Sequence, residues 1–146
     1  MARESNLWRT FNDNLGPFGL LKRIEDSTDD GTADVIYCLT RPKPGSLAAA
    51  GIVELKRVDA FPVRPSTPLR IRSLTKDQVL FAEDWARAGG RAWLLLRAPP
   101  WYLLFAVADI RGLYEGRVAA CDAPAIAKVA AMGRFPTGPI LKALTA

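Results

Sequence analysis

Apolar positions along this chain follow two different periods. In ESNLWRTFNDNL, residues 4–15, Leu7, Trp8, Phe11 and Leu15 recur at three- and four-residue steps, which predicts a first helix stopped by Gly16 and Pro17. GLLKRIED (19–26) alternates, and ADVIYCLT (33–40) is rich in β-formers, so both read as strands around the turn-like DSTDDGT. RPKPGSLAAA (41–50) is a loop by composition, and GIVELKRV (51–58) is a third strand. Three consecutive strands with short connections predict an antiparallel meander.

DAFPVRPSTPLRIRS (59–73) spaces three prolines over seven residues and reads as an extended loop. The segment SLTKDQVLFAEDWARAGG predicts a helix, capped by Ser73 or Thr75 and ended by Gly89 and Gly90. Its apolar side is Val79, Leu80, Phe81, Ala82 and Trp85. RAWLLLR (91–97) and WYLLFAV (101–107), separated by Pro99 and Pro100, are apolar runs of strand length, and DAPAIAKVAAMG (122–133) reads as a short helix with Pro124 in its first turn. The predicted order is helix, three strands, loop, helix, two strands and a helical tail over about 107–146, an α/β arrangement with a mixed sheet flanked by helices.

At 146 residues the chain fits one domain, and 49% hydrophobic with 24% charged residues is ordinary for a folded one. No segment approaches the roughly 20 apolar residues of a membrane span, and MARESNLWRTF has no signal-like apolar run, so a cytoplasmic protein without a membrane partner is expected. Cys38 and Cys121 form no CxxC pair and are expected as reduced core residues, and Trp8, Trp85, Trp93 and Trp101 as core or interface packing.

Charge and missing residue types narrow the chemistry. A net charge of +5 fits a polyanionic partner such as nucleic acid, and fits the many basic proteins that bind none. With no histidine, every imidazole base, imidazole ligand and Ser-His or Cys-His pair is excluded. Chemistry here falls to carboxylates, lysine, hydroxyls or a hard metal ion.

Within GIVELKRV, strand alternation sets Glu54 and Lys56 on one face and Val53 and Leu55 on the other. The charged pair is either a solvated ion pair, worth about 0–1 kcal/mol, or part of a site. If the second and third predicted strands pair, Asp34 joins Glu54 and Lys56 at one point. Two carboxylates suit Mg²⁺ or Mn²⁺, and a lysine beside them can steady charge on a phosphate or help deprotonate an attacking water.

GTADVIYC followed by GIVELK resembles the G-x-x-D and E-x-K signature of the PD-(D/E)XK nuclease superfamily, and LTKDQVLFAEDWARAGGRAWLLLR is similar to the helix and strand that follow in its virus-type replication-repair branch, VRR-NUC. The likeness covers about residues 4–97 and rests on the ordered set Gly31, Asp34, Glu54, Lys56 and Gln78; Ala33 replaces a frequent proline. The resemblance implies a restriction-endonuclease-like core in a single nuclease domain. It makes Asp34 and Glu54 metal ligands with the Leu55 carbonyl, and Lys56 the group acting on the water or the phosphate. It also implies that Gln78 positions the site, with Glu4 or Glu25 as a further acid.

The activity so implied is a Mg²⁺- or Mn²⁺-dependent DNA endonuclease, similar to the Holliday-junction resolvases of phages and bacteria, working as a homodimer on branched DNA in a bacterial or infected cell. WYLLFAV or the alanine-rich tail would form the interface. Action on single-stranded or flapped DNA, and a catalytically silent DNA-binding module, are the alternatives. Arg57, Arg64, Arg70 and Arg72, with Lys76, are either solvated surface or the residues that hold DNA phosphates.

Overall fold

The computed structural model describes residues 2–24, 33–41 and 48–146, with the backbone alone for residues 2–5. Helix α1 (Ala2–Leu15) leads through a short 3₁₀ turn into strands β1 (Gly19–Arg23), β2 (Val35–Leu39) and β3 (Ala49–Arg57). Helix α2 (Lys76–Arg87) crosses to β4 (Ala92–Ala98), followed by β5 (Trp101–Ala106), α3 (Val107–Tyr114), α4 (Ala123–Ile126), β6 (Val129–Met132) and α5 (Thr137–Leu144). Among the described residues the strands form one six-stranded sheet in the order β1-β2-β3-β4-β5-β6, antiparallel except where β3 lies parallel to β4.

The expected meander β1-β2-β3 is present, and the parallel step is where a helix is required, because parallel neighbours need a long crossover. Both faces of the central strands are buried. One apolar layer joins Leu7, Phe11 and Leu15 of α1 and Ile140, Leu141 and Leu144 of α5 to Val53, Leu55, Leu95 and Leu104. The opposite layer joins Val79 and Ala82 of α2 and Ile110 and Leu113 of α3 to Ile52, Leu94, Leu96, Leu103 and Phe105. This double burial explains the unbroken apolar runs of β4 and β5.

Gly51 shows how closely the layers fit. It stands opposite Tyr37 in the β2-β3 ladder, and a Cβ there would approach the Tyr37 hydroxyl to 2.6 Å and the Arg91 carbonyl to 2.8 Å. The Tyr37 hydroxyl donates to the Leu144 carbonyl at 3.0 Å and accepts from Trp93 Nε1 at 3.0 Å, tying β2 to α5 and β4. Burial raises the pKa of that phenol.

Several expectations need correction. The alanine-rich segment 122–133 is not one helix: α4 stops at Ile126, and Val129–Met132 pairs with β5 as the edge strand. Ladder bonds there override the helical preference of alanine. The tail from 107 therefore contains a strand among its helices, and Val107 opens α3 rather than ending β5. β5 has a neighbour on each side and Tyr102, Leu103, Leu104 and Phe105 buried, so WYLLFAV is an internal strand unavailable as an interface. Cys38 and Cys121 are exposed thiols, because Cys38 alternates outward from Tyr37 and Leu39. Leu80 is likewise outside the apolar side of α2. Among the described residues no helix is long and apolar enough to cross a membrane.

Candidate active site

At the carboxyl end of β3 the ladder with β2 runs out, and four polar side chains meet. Val35 pairs with Val53, so the next pair outward is Asp34 and Glu54. Val35 and Val53 point into the layer beneath α1 and α5, and alternation turns Asp34 and Glu54 toward α2. Asp34 is fixed by its Oδ2, which accepts from the Leu55 backbone N–H at 2.8 Å in the place where another β2 residue would have bonded.

Glu54 and Lys56 are 6% and 3% exposed, so the solvated ion pair anticipated as one reading of these residues is absent. Lys56 Nζ lies 3.3 Å from Glu54 Oε1 and donates to the Ser73 carbonyl at 2.9 Å. Ser73 is a partner that sequence reading missed; no side-chain pattern marks a main-chain carbonyl.

Gln78 belongs to both helix and site. Thr75 is the N-cap of α2: its Oγ1 accepts from the Gln78 N–H at 3.2 Å, and Gln78 Oε1 accepts from the Thr75 N–H at 3.0 Å, completing a capping box. With the carbonyl end of the amide committed, its nitrogen faces β3 and donates to Glu54 Oε1 at 3.1 Å. The box therefore aims the amide that holds Glu54.

Burial pushes the Glu54 carboxyl up to about 9, the charge of Asp34 and a hydrogen bond with it push the same way, and Lys56 pulls in the opposite direction. The surroundings thus favour the protonated form of Glu54 at neutral pH. Asp34 and Gln78, beside the buried Glu54 and Lys56, are themselves half-buried.

No family model matches the chain, and no curated protein matches it significantly. What the four side chains can do is therefore read from their chemistry.

The remaining candidates divide. Asp34, Glu54, Lys56 and Gln78 come together, while Glu25 and Gly31 lie outside the described residues and only the backbone of Glu4 is described, in α1. Arg70 and Arg72 line a cleft of about 710 Å³ with Arg57, Asp59, Pro68 and Ser73. Arg64 and Lys76 are exposed and outside that lining. Alternation along β3 carries the Arg57 side chain to the face of Val53 and Leu55, away from Lys56; its Nε is buried with no hydrogen-bond partner among the described residues.

Proposed function

We propose that this chain is a metal-dependent endonuclease of the PD-(D/E)XK kind, with a restriction-endonuclease-like core, hydrolysing DNA backbone phosphodiesters. The observation that carries the reading is the meeting of Asp34, Glu54, Lys56 and Gln78 within hydrogen-bonding distance on one strand end, with Glu54 and Lys56 buried. Burying a lysine and a carboxylate beside a second, half-buried carboxylate is costly for a stability device, and such sites cluster where chemistry is done.

The donor set suits a hard divalent ion. Asp34 and Glu54 are adjacent carboxylates, and a cation bound there would displace the proton that burial favours on Glu54. In a strand the N–H and C=O of one residue leave by the same edge, so the Leu55 carbonyl lies on the side where its N–H meets Asp34 and adds a third oxygen. Bound there, Mg²⁺ or Mn²⁺ would supply Lewis acidity and a water of lowered pKa. Lys56, held by Ser73, stands where an ammonium can steady negative charge on the phosphate, and Gln78 keeps Glu54 turned toward Asp34.

The likeness to VRR-NUC resolvases extends the proposal to branched DNA and a homodimer that cuts two strands, with the alanine-rich edge strand β6 as its interface, since β5 is internal. The test incubates the chain and its Glu54→Gln variant with a four-way junction and a matched linear duplex in Mg²⁺, Mn²⁺ or EDTA. Cutting of the junction by wild type alone, with metal, is expected. Equal cutting of both DNAs removes the junction preference, and DNA binding without cutting in either metal leaves a silent binding module.

A further inference from the structure

Residues 67–71 run without regular structure into a turn at 71–74, where the Leu74 N–H donates to the Ile71 carbonyl at 3.1 Å, and the segment is anchored on both sides. Leu69 N–H donates to the Val118 carbonyl at 2.8 Å and Ala120 N–H to the Thr67 carbonyl at 2.8 Å, which ties the segment to the stretch after α3. Leu69, Ile71 and Leu74 are buried in the α2-side layer. Arg70 and Arg72 flank the buried Ile71 and are both exposed.

The Arg70 guanidinium lies over Gly116, where an added Cβ would stand 3.5 Å away. Arg70, Arg72 and Ser73 line the cleft of about 710 Å³, and the carbonyl of Ser73 is the acceptor for Lys56. The cleft and the carboxylate site thus meet at a single residue. Guanidinium groups held by a packed backbone bind phosphate at a lower ordering cost than arginines on a loose loop.

We propose that Arg70 and Arg72 form a seat for one non-scissile backbone phosphate of the strand being cut, on the side of the site where Ser73 adjoins Lys56. The proposal rests on the nuclease reading for the word "cut", and on the cleft alone for the phosphate. Arg64, also exposed, is outside this seat.

The test uses single-stranded and duplex oligonucleotides carrying one neutral methylphosphonate linkage, moved one position at a time across the cleavage region. Cutting is measured in Mg²⁺, and binding in EDTA, for wild type, the Arg70→Gln/Arg72→Gln double variant, and Arg64→Gln as the control. At one linkage the neutral analogue should slow wild-type cutting and weaken binding about tenfold, and it should have almost no further effect in the double variant. Arg64→Gln should keep the full tenfold effect. The double variant should also lower the slope of log affinity against log salt by about one on duplex DNA, as the loss of one phosphate contact requires.

If wild type cuts DNA and Glu54→Gln does not, but no linkage couples to the double variant, the seat is wrong and the nuclease reading stands. If nothing is cut while one linkage couples to Arg70 and Arg72 in binding, the seat stands and the nuclease reading falls. Absence of both cutting and coupling overturns both.

Discussion

Replacing Glu54 by glutamine should make the metal-free protein more stable, by an amount that grows with pH. Glutamine is an uncharged isostere of the protonated carboxyl: its carbonyl can accept from Gln78 as Glu54 Oε1 does at 3.1 Å, and its amide can donate to Asp34. The folded carboxyl titrates at about 9 against an ordinary 4.5, so between those values the native state holds a proton that the unfolded chain has lost. Native proton uptake makes wild-type stability fall as pH rises through that window and level off above it. At about 1.4 kcal/mol per pH unit the variant's advantage is bounded at about 5 kcal/mol at pH 8, and at about 1 kcal/mol at pH 5. Relaxation around a buried charge reduces the bound; half of it, about 2–3 kcal/mol, would raise Tm by about 5–10 °C in a domain of this size. Thermal and urea unfolding in EDTA at pH 5, 6.5 and 8 measures the difference directly. A gap between wild type and variant that is constant across this range would refute a protonated Glu54, whatever its mean size.

Other outcomes follow from the same geometry. Because a metal must displace the Glu54 proton, Mg²⁺ or Mn²⁺ affinity should rise about tenfold per pH unit between pH 6 and 8, with about one proton released, as measured by titration calorimetry in buffers of different ionisation enthalpy. Gly51→Ala would drive a methyl group into the Tyr37 hydroxyl and the Arg91 carbonyl and should cost about 1–3 kcal/mol or more in urea unfolding; a loss under 0.5 kcal/mol would mean that this contact yields easily. Tyr37→Phe strands the part-buried Trp93 Nε1–H and should cost about 1–3 kcal/mol, with tryptophan fluorescence reporting the altered indole environment. Arg111 grips Glu83 through two bonds, of 2.6 and 2.8 Å, joining α3 to α2, and holds the Glu83 carboxyl below its ordinary range. The pair is partly exposed, so Glu83→Gln should cost no more than about 1 kcal/mol and less at high salt.

The first three strands, the crossover helix and the two apolar strands were legible in the sequence because each has one dominant signal: alternation, a cap followed by helical spacing, or an unbroken apolar run. The meeting of the four polar side chains was legible for a related reason. Glu54 and Lys56 interrupt an otherwise apolar strand, and Asp34 and Gln78 fall at element starts, where sequence position fixes spatial position within a residue or two. Beyond residue 106 such signals weaken. VAAM has the composition of a helix and becomes a strand because β5 presents an open edge to it, a fact of tertiary structure that no local window contains. The exposure of Cys38 follows from register, since only knowing that Tyr37 and Leu39 face α1 and α5 turns the residue between them outward. The tie between Lys56 and Ser73 runs to a backbone oxygen and leaves no mark on residue type.

The amide at position 78 answers to two neighbours at once, and this restricts which residues can occupy it. Alanine would satisfy neither. Glutamate would keep the reciprocal bond to Thr75 and set a third carboxylate against Glu54, while asparagine is one methylene too short to span from the start of α2 to β3. Lysine and arginine bring donors for Glu54 but no acceptor for the Thr75 N–H. A half-buried position in the first turn of a helix, ordinarily among the most permissive in a protein, is thereby reduced to a single side chain. A saturation library at this codon, sorted for folding and separately for cutting, should recover glutamine alone from the second screen and a broader set that includes it from the first.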